Sequence, residues 1–283
     1  MTTADPPPIG VALRSIRATP GWWLEGARRL DAAGYAGLWS WDHFVGKGDR
    51  TVPVVEAWTM LTAAAALTER ATVGTFVANV MNRHPAVLAR MATTLQDLTG
   101  GRVILGIGIG GHPAEHRALG IPFPEASERV ARLEDAIAVI RAIWTGGPVT
   151  RPSRFYPLDD AVVSVGSSPP PPIVIGGEST AGARLAGRLG DGWSPFDSTF
   201  ERDLPAYLEA LEAAGRQRVG QRLLVGIQGD DWLAEHSSIA GSPWIEAPRE
   251  TWARWREAGA DGVILLARTT ADVDALVTAA QRW

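Results

Sequence analysis

The sequence predicts a single (β/α)8 barrel spanning residues 1–283, with an insertion around residues 147–172. Three observations carry that expectation. Short apolar runs alternate along the chain with segments whose apolar residues recur at spacings of three and four. The strand-like runs are apolar almost throughout, as parallel strands buried on both faces are. Eight strand–helix units fit into 283 residues, and about 250 residues is typical of one closed barrel.

Residues 9–16 read as the first strand. Thr19-Pro20 follows as an N-cap with proline in the first turn. Trp23, Leu24, Ala27 and Leu30 then form a helical stripe, and Gly34 stops it. The second strand is 36–41, a helix covers 54–67, and the third strand is 71–77. After Pro85, the residues Leu88, Met91, Leu95 and Leu98 keep helical spacing. The fourth strand is 103–107; its helix, 127–144, carries Val130, Leu133, Ile137, Ile140 and Trp144. The rhythm breaks over 147–172, where β-like pieces precede a proline run from Pro169 to Pro172, so this part reads as an inserted loop or hairpin. It resumes with strand 173–175, helix 179–189, strand 191–194, helix 200–214 and strand 222–227. A helix near 249–257, strand 262–266 and a terminal helix complete the series.

Composition narrows the function. Apolar residues make up 46% and charged residues 20%, enough for a large core. The net charge is −4 and no Lys/Arg block is present, which argues against nucleic acid and anionic membranes as partners. The absence of cysteine excludes disulfides, thiolate metal sites and thiol nucleophiles, and fits the cytoplasm. The first ten residues are proline-rich and lack the basic start and apolar core of a signal peptide. No apolar run reaches the roughly 18 residues of a membrane span.

The chemistry gathers at strand ends. Gly106, Gly108 and Gly111 match G-x-G-x-x-G, but they follow a fourth strand, Pro113 interrupts the helix start, and no acid follows at the required distance. A tight turn explains them without a dinucleotide. His112-Pro113-Ala114-Glu115-His116 fits H-x-x-E-H, yet Pro113 allows only a first helical turn and five histidines leave few other ligands. We therefore expect a surface helix start there and no metal site. Lys47 is the single lysine and lies in a glycine-rich loop, which disfavours Schiff-base chemistry. Trp41-Asp42-His43 is more promising, because it sits at the carboxyl end of the second strand, the active-site edge of a barrel. A histidine there can exchange a proton near neutral pH; taken alone, it reads more readily as a packed or capping residue than as a catalytic one. The third strand supplies Asn79 and then Arg83-His84-Pro85. At the fifth, Gly176-Gly177-Glu178-Ser179-Thr180 opens a helix, which suits a phosphate or simple N-capping.

The order of these segments resembles the luciferase-like monooxygenase superfamily, whose members use FMN or the deazaflavin F420. The matching stretches are Gly34-Tyr35-Ala36-Gly37-Leu38-Trp39-Ser40-Trp41-Asp42-His43-Phe44, then 101–120, then 175–193. They cover most of residues 9–195; from about Phe200 only the strand–helix rhythm fits. The resemblance implies an F420-dependent oxidoreductase acting on a small molecule, with an FMN-dependent monooxygenase or a non-catalytic flavin-binding barrel as alternatives. It implies a homodimer. It places Asp42 and His43 beside the deazaflavin, with His43 moving a proton and Asp42 at the ring edge. It puts a non-proline cis peptide at Phe76-Val77 under the ring, and Asn79 within reach of its polar edge. Gly108, Ile109 and Gly110 form the side of the pocket, and Gly176 and Gly177 meet the cofactor phosphate, with Glu178 on the same cofactor-binding segment. Trp41, Trp193 and Phe196 wall the substrate space. One departure is plain: the family's sugar-phosphate dehydrogenases place a glutamate just after the fourth-strand glycines, where this chain has Gly111 and His112. Their substrate and that acid role are not carried over.

Overall fold

The computed structural model of the protein describes residues 6–163, 166, 168–229, 236 and 238–283. The chain begins with β1 (Ile9–Leu13) and α1 (Pro20–Ala33). Thr19 caps α1 by accepting the Trp22 N–H at 3.3 Å, and Gly34 ends it at φ +94°, a backbone setting that only glycine adopts freely. β2 (Gly37–Ser40), α2 (Ala57–Leu67) and β3 (Thr72–Thr75) follow. The third strand then breaks at Phe76-Val77 and resumes as β4 (Ala78–Asn79). α3 (Pro85–Thr99) leads to β5 (Val103–Gly108), the short α4 (Pro113–Leu119) and α5 (Ala126–Ile143).

The insertion is an antiparallel hairpin of β6 (Val149–Arg151) and β7 (Leu158–Ala161). It is tied to α5 by Asp135, whose carboxylate accepts from Arg151 and Ser153. Beyond it come β8 (Ile173–Gly176), α6 (Thr180–Leu189), β9 (Gly192–Ser194), α7 (Asp197–Ala213) and β10 (Arg222–Gly226). α8 (Pro243–Glu246), α9 (Pro248–Glu257), β11 (Gly262–Ala267) and α10 (Thr270–Ala280) finish the chain.

The parallel ladders close into a ring: β1 pairs with both β2 and β11, and the order continues through β3, β5, β8, β9 and β10 back to β11. The split third strand pairs with β5 twice, as β3 through Val73↔Val103 and as β4 through Ala78↔Ile107. This is the eight-stranded barrel that the sequence predicts, with the hairpin where the rhythm breaks.

Two apolar layers hold it together. The outer layer lies between strands and helices and runs from Ile9 to Ala279. The inner one contains Ala12, Trp39, Ile104, Val174, Ile264 and Leu266. Trp39 fills much of the inner space because its neighbours are glycines: a Cβ at Gly10 or Gly74 would lie 2.5 Å from its ring, and one at Gly37 2.8 Å. A barrel interior is packed rather than open, so the usable space is at its ends. Among the described residues, no helix is long and apolar enough to cross a membrane.

Candidate functional site

A cavity of about 750 Å³ opens at the carboxyl ends of the strands, within the range of small-molecule sites. Its floor is the break in the third strand. The Phe76-Val77 peptide is cis, as the family resemblance implies. Val77 occupies space that glycines leave free: a Cβ at Gly108 would come within 2.8 Å of its side chain, and one at Gly176 within 2.9 Å. Phe76 meets Phe196 edge to face at 5.6 Å. Gly110 has φ +76°, and a Cβ there would sit 2.5 Å from the Asn79 side chain. The fourth-strand glycines therefore make room for the floor and for Asn79. Arg129 holds the adjoining backbone by donating to the Ile109 carbonyl at 3.2 Å.

Asp42 and His43 leave the second strand together and meet different surroundings. The Asp42 side chain is fully buried. It accepts both ends of the Arg83 guanidinium, at 2.7 and 2.9 Å, the Asn79 N–H at 3.0 Å and the Asn82 amide at 3.2 Å. Arg83 also donates to Glu56 at 2.7 Å. Burial works against the Arg83 charge, but Asp42 and Glu56 outweigh it and raise the guanidinium above its ordinary value. Burial also disfavours ionised Glu56. The Thr59 hydroxyl and N–H, the Trp58 N–H and Arg83 outweigh that, and hold its carboxyl below the ordinary 4.5.

His43 presents Nδ1 to the Glu115 carboxylate at 3.3 Å, and His112 approaches the same oxygen at 3.6 Å. Neither Nδ1 makes a hydrogen bond, and Glu115 Oε1 has no partner. The other Glu115 oxygen accepts the N–H groups of Phe44 and Val45, both at 3.1 Å. Glu115 is 1% exposed. Burial alone would raise its carboxyl; His43 and the two N–H groups pull it below the ordinary value. Behind it lies His116, fully buried, with burial pushing its ring below the ordinary value. The Asn79 amide donates to His116 Nε2 at 2.7 Å, while Asn79 Oδ1 accepts the Met81 N–H at 3.0 Å.

Thirteen of the site residues expected from sequence line this cavity: Trp41, Asp42, His43, Phe76, Val77, Asn79, Gly108, Ile109, Gly110, Gly176, Gly177, Glu178 and Phe196. Two of them are otherwise occupied, Asp42 by Arg83 and Asn79 by His116 and Met81. Trp193 is a correction. It is fully buried outside the barrel, stacked on Tyr207 at 5.5 Å, and its indole N–H donates to the Gly177 carbonyl. Strand alternation explains this: its neighbour Ser194 lines the cavity, so Trp193 points the other way. The expected surface helix at His112 is also corrected, because α4 buries Glu115 and His116 against the site. Ser179 caps α6 by accepting the Gly182 N–H at 3.2 Å, and Thr180 donates to Asp203. Sequence reasoning missed Lys47, Gln228 and Arg268 as lining residues, and Arg83 and Glu115 as partners of the Asp42-His43 pair.

Fold and cavity together define a (β/α)8 barrel with a glycine-lined cavity at the carboxyl ends of its strands. The chain belongs to the luciferase-like monooxygenase family, whose sequence model matches residues 6–261. An F420-dependent glucose-6-phosphate dehydrogenase of Kineococcus radiotolerans is 35% identical over 223 residues, covering 76% of this chain and 65% of that protein. A second, from Beutenbergia cavernae, is 39% identical over 62% of this chain and 49% of its own length. The chain thus spans about half to two thirds of the length of these curated relatives. Among solved structures, an F420-dependent secondary alcohol dehydrogenase superposes with a TM-score of 0.82 at 22% identity, over 97% of both chains.

Proposed function

We propose that this protein is an oxidoreductase that binds coenzyme F420 and exchanges a hydride with a small organic substrate. The observation that carries the reading is the meeting, in one cavity, of the glycine-cradled Phe76-Val77 floor and His43 with its buried Glu115 partner. The F420-dependent relatives named above support it. The residues fit the cofactor in two respects. Gly108 and Gly176 lack the side chains that would crowd the floor. Gly177 and Gly182 pack backbone to backbone where α6 begins, so a Cβ on Gly177 would lie 3.0 Å from the Gly182 Cα. That helix start, with Ser179, Ala181 and Gly182 on the cavity wall, suits a phosphate.

When bound, F420 supplies the hydride chemistry at its C5, and the protein supplies orientation and proton transfer. Phe76 and Val77 would support the ring, Gly108, Ile109 and Gly110 would leave room beside it, and Gly176, Gly177 and Glu178 would hold its phosphate. Trp41 and Phe196 offer apolar walls to the substrate. His43 moves the proton. Its Nδ1 faces Glu115, so Nε2 is the nitrogen left for exchange. Asp42 acts through Arg83 and the Asn79 backbone, fixing the loops that carry His43 and Asn79. The reading extends to a cytoplasmic homodimer, for which sedimentation of the purified protein is the check.

The test is turnover of F420H2 with activated alkenes, imines and quinones, followed by His43→Ala. Turnover should fall by about 10²–10⁴-fold, the usual contribution of a positioned acid or base, with F420 affinity little changed. Near-normal turnover per folded molecule would remove His43 from the mechanism.

A further inference from the structure

We propose that His43, His112 and Glu115 form a binding site for one divalent transition-metal ion of the zinc class at the edge of the cavity. Their ligand atoms all lie within 4.8 Å of one another. His43 Nδ1 and His112 Nδ1 are 3.3 and 3.6 Å from the same Glu115 oxygen. Ligands around a tetrahedral zinc, at bonds of about 2.0–2.1 Å, sit roughly 3.4 Å apart, so small movements of the rings would complete the geometry.

The second observation is that both imidazole nitrogens, His43 Nδ1 and His112 Nδ1, and the far oxygen of Glu115, Oε1, are buried and make no hydrogen bond. Buried polar groups are ordinarily satisfied, and one cation would satisfy both imidazole nitrogens, with Glu115 supplying its charge through the oxygen that faces them. Glu115 is held in place from behind by the Phe44 and Val45 N–H groups. Two imidazoles and a carboxylate suit zinc, nickel, copper or iron rather than magnesium or calcium. Three protein ligands also leave a coordination position open. This set differs from the H-x-x-E-H pattern in the sequence. His116, the second histidine of that pattern, is turned toward Asn79, and His43 arrives from the second strand instead.

A metal on His43 Nδ1 replaces the proton there and fixes the ring, which removes it from proton exchange. That consequence rests on the F420 reading; the site itself does not. The experiment therefore uses metal-stripped protein without an affinity tag or cofactor, titrated with Co²⁺ and read by its visible absorption. The expected result is saturation at one ion per chain, displacement by Zn²⁺, and loss of affinity by at least about 100-fold in His112→Gln and in Glu115→Gln. That exceeds the 10–100-fold cost of losing a supporting partner. His112→Gln is the safer variant, since Glu115 also holds a loop. His84→Gln, a histidine outside the cluster, should bind as the wild type does. No saturable binding, or binding indifferent to His112→Gln, would overturn the proposal. Either result leaves the F420 reading to its own test, and failure of F420 to bind leaves this titration unaffected.

Discussion

Asp42 and His43 are consecutive in the chain, and the clusters built around them differ in what they leave free. Around Asp42, both carboxylate oxygens are taken up by Arg83, the Asn79 N–H and Asn82, and Arg83 is held in turn by Glu56. Around His43, one oxygen of Glu115 and the Nδ1 atoms of both His43 and His112 have no hydrogen-bond partner. A buried carboxylate with both oxygens paired fixes geometry, although the Asn82 Oδ1 beside it has no partner; a buried group left unpaired carries a free-energy cost, and such a group at a cavity edge is available for chemistry. On the proposed function, the contrast separates a group that builds the site from a group that acts in it.

Breaking the Asp42 cluster should have the largest effect on folding. Arg83→Ala leaves a buried carboxylate without its cation, which typically costs about 3–5 kcal/mol. The Asn79 and Asn82 donors remain, so we expect the lower end, measured by urea unfolding. A loss under about 0.5 kcal/mol, the range of neutral surface changes, would make the Asp42 network dispensable and erase the distinction.

The floor between the two clusters comes next. Gly176→Ala puts a Cβ about 2.9 Å from the Val77 methyls. Overpacking of this kind costs roughly 1–3 kcal/mol, and F420 affinity should fall with it. Unchanged stability and unchanged affinity would mean that Val77 is not confined as described.

The smallest effect concerns pH. The Glu56 carboxyl sits below its ordinary 4.5 in the folded protein. Its contribution to stability is therefore fully present above the unfolded value and is lost as pH falls through the folded one. Glu56→Gln should narrow the stability difference between neutral pH and the acid region below 4.5. An acid limb as steep as that of the wild type would assign the pH dependence to other carboxylates.

Much of this is legible in the sequence, for identifiable reasons. Strand and helix order is written in local periodicity, so all eight barrel strands and the position of the hairpin follow from it. Most of the cavity lining follows as well, because strand ends of a barrel converge wherever they lie in the chain. The break at Phe76-Val77 follows from family resemblance; no local pattern marks it. What periodicity does not reach is partnership between distant segments. Asp42 pairs with Arg83, and His43 with Glu115, although each pair joins separate βα units. The short helix of Pro113–Leu119 reads as a surface helix start because Pro113 fits only a first turn, yet Glu115 and His116 turn inward. Trp193 is misplaced by the sequence reading although the alternation of its strand carries the answer: Ser194 faces the cavity, so Trp193 cannot.

The central claim is that this cavity is built for F420. Equilibrium titration of the purified, cofactor-free protein with F420 and with FMN, followed by fluorescence, tests it without needing a substrate. The account predicts saturable F420 binding at least about tenfold tighter than FMN, a difference of roughly 1.4 kcal/mol. Micromolar FMN binding with no measurable F420 binding would contradict it.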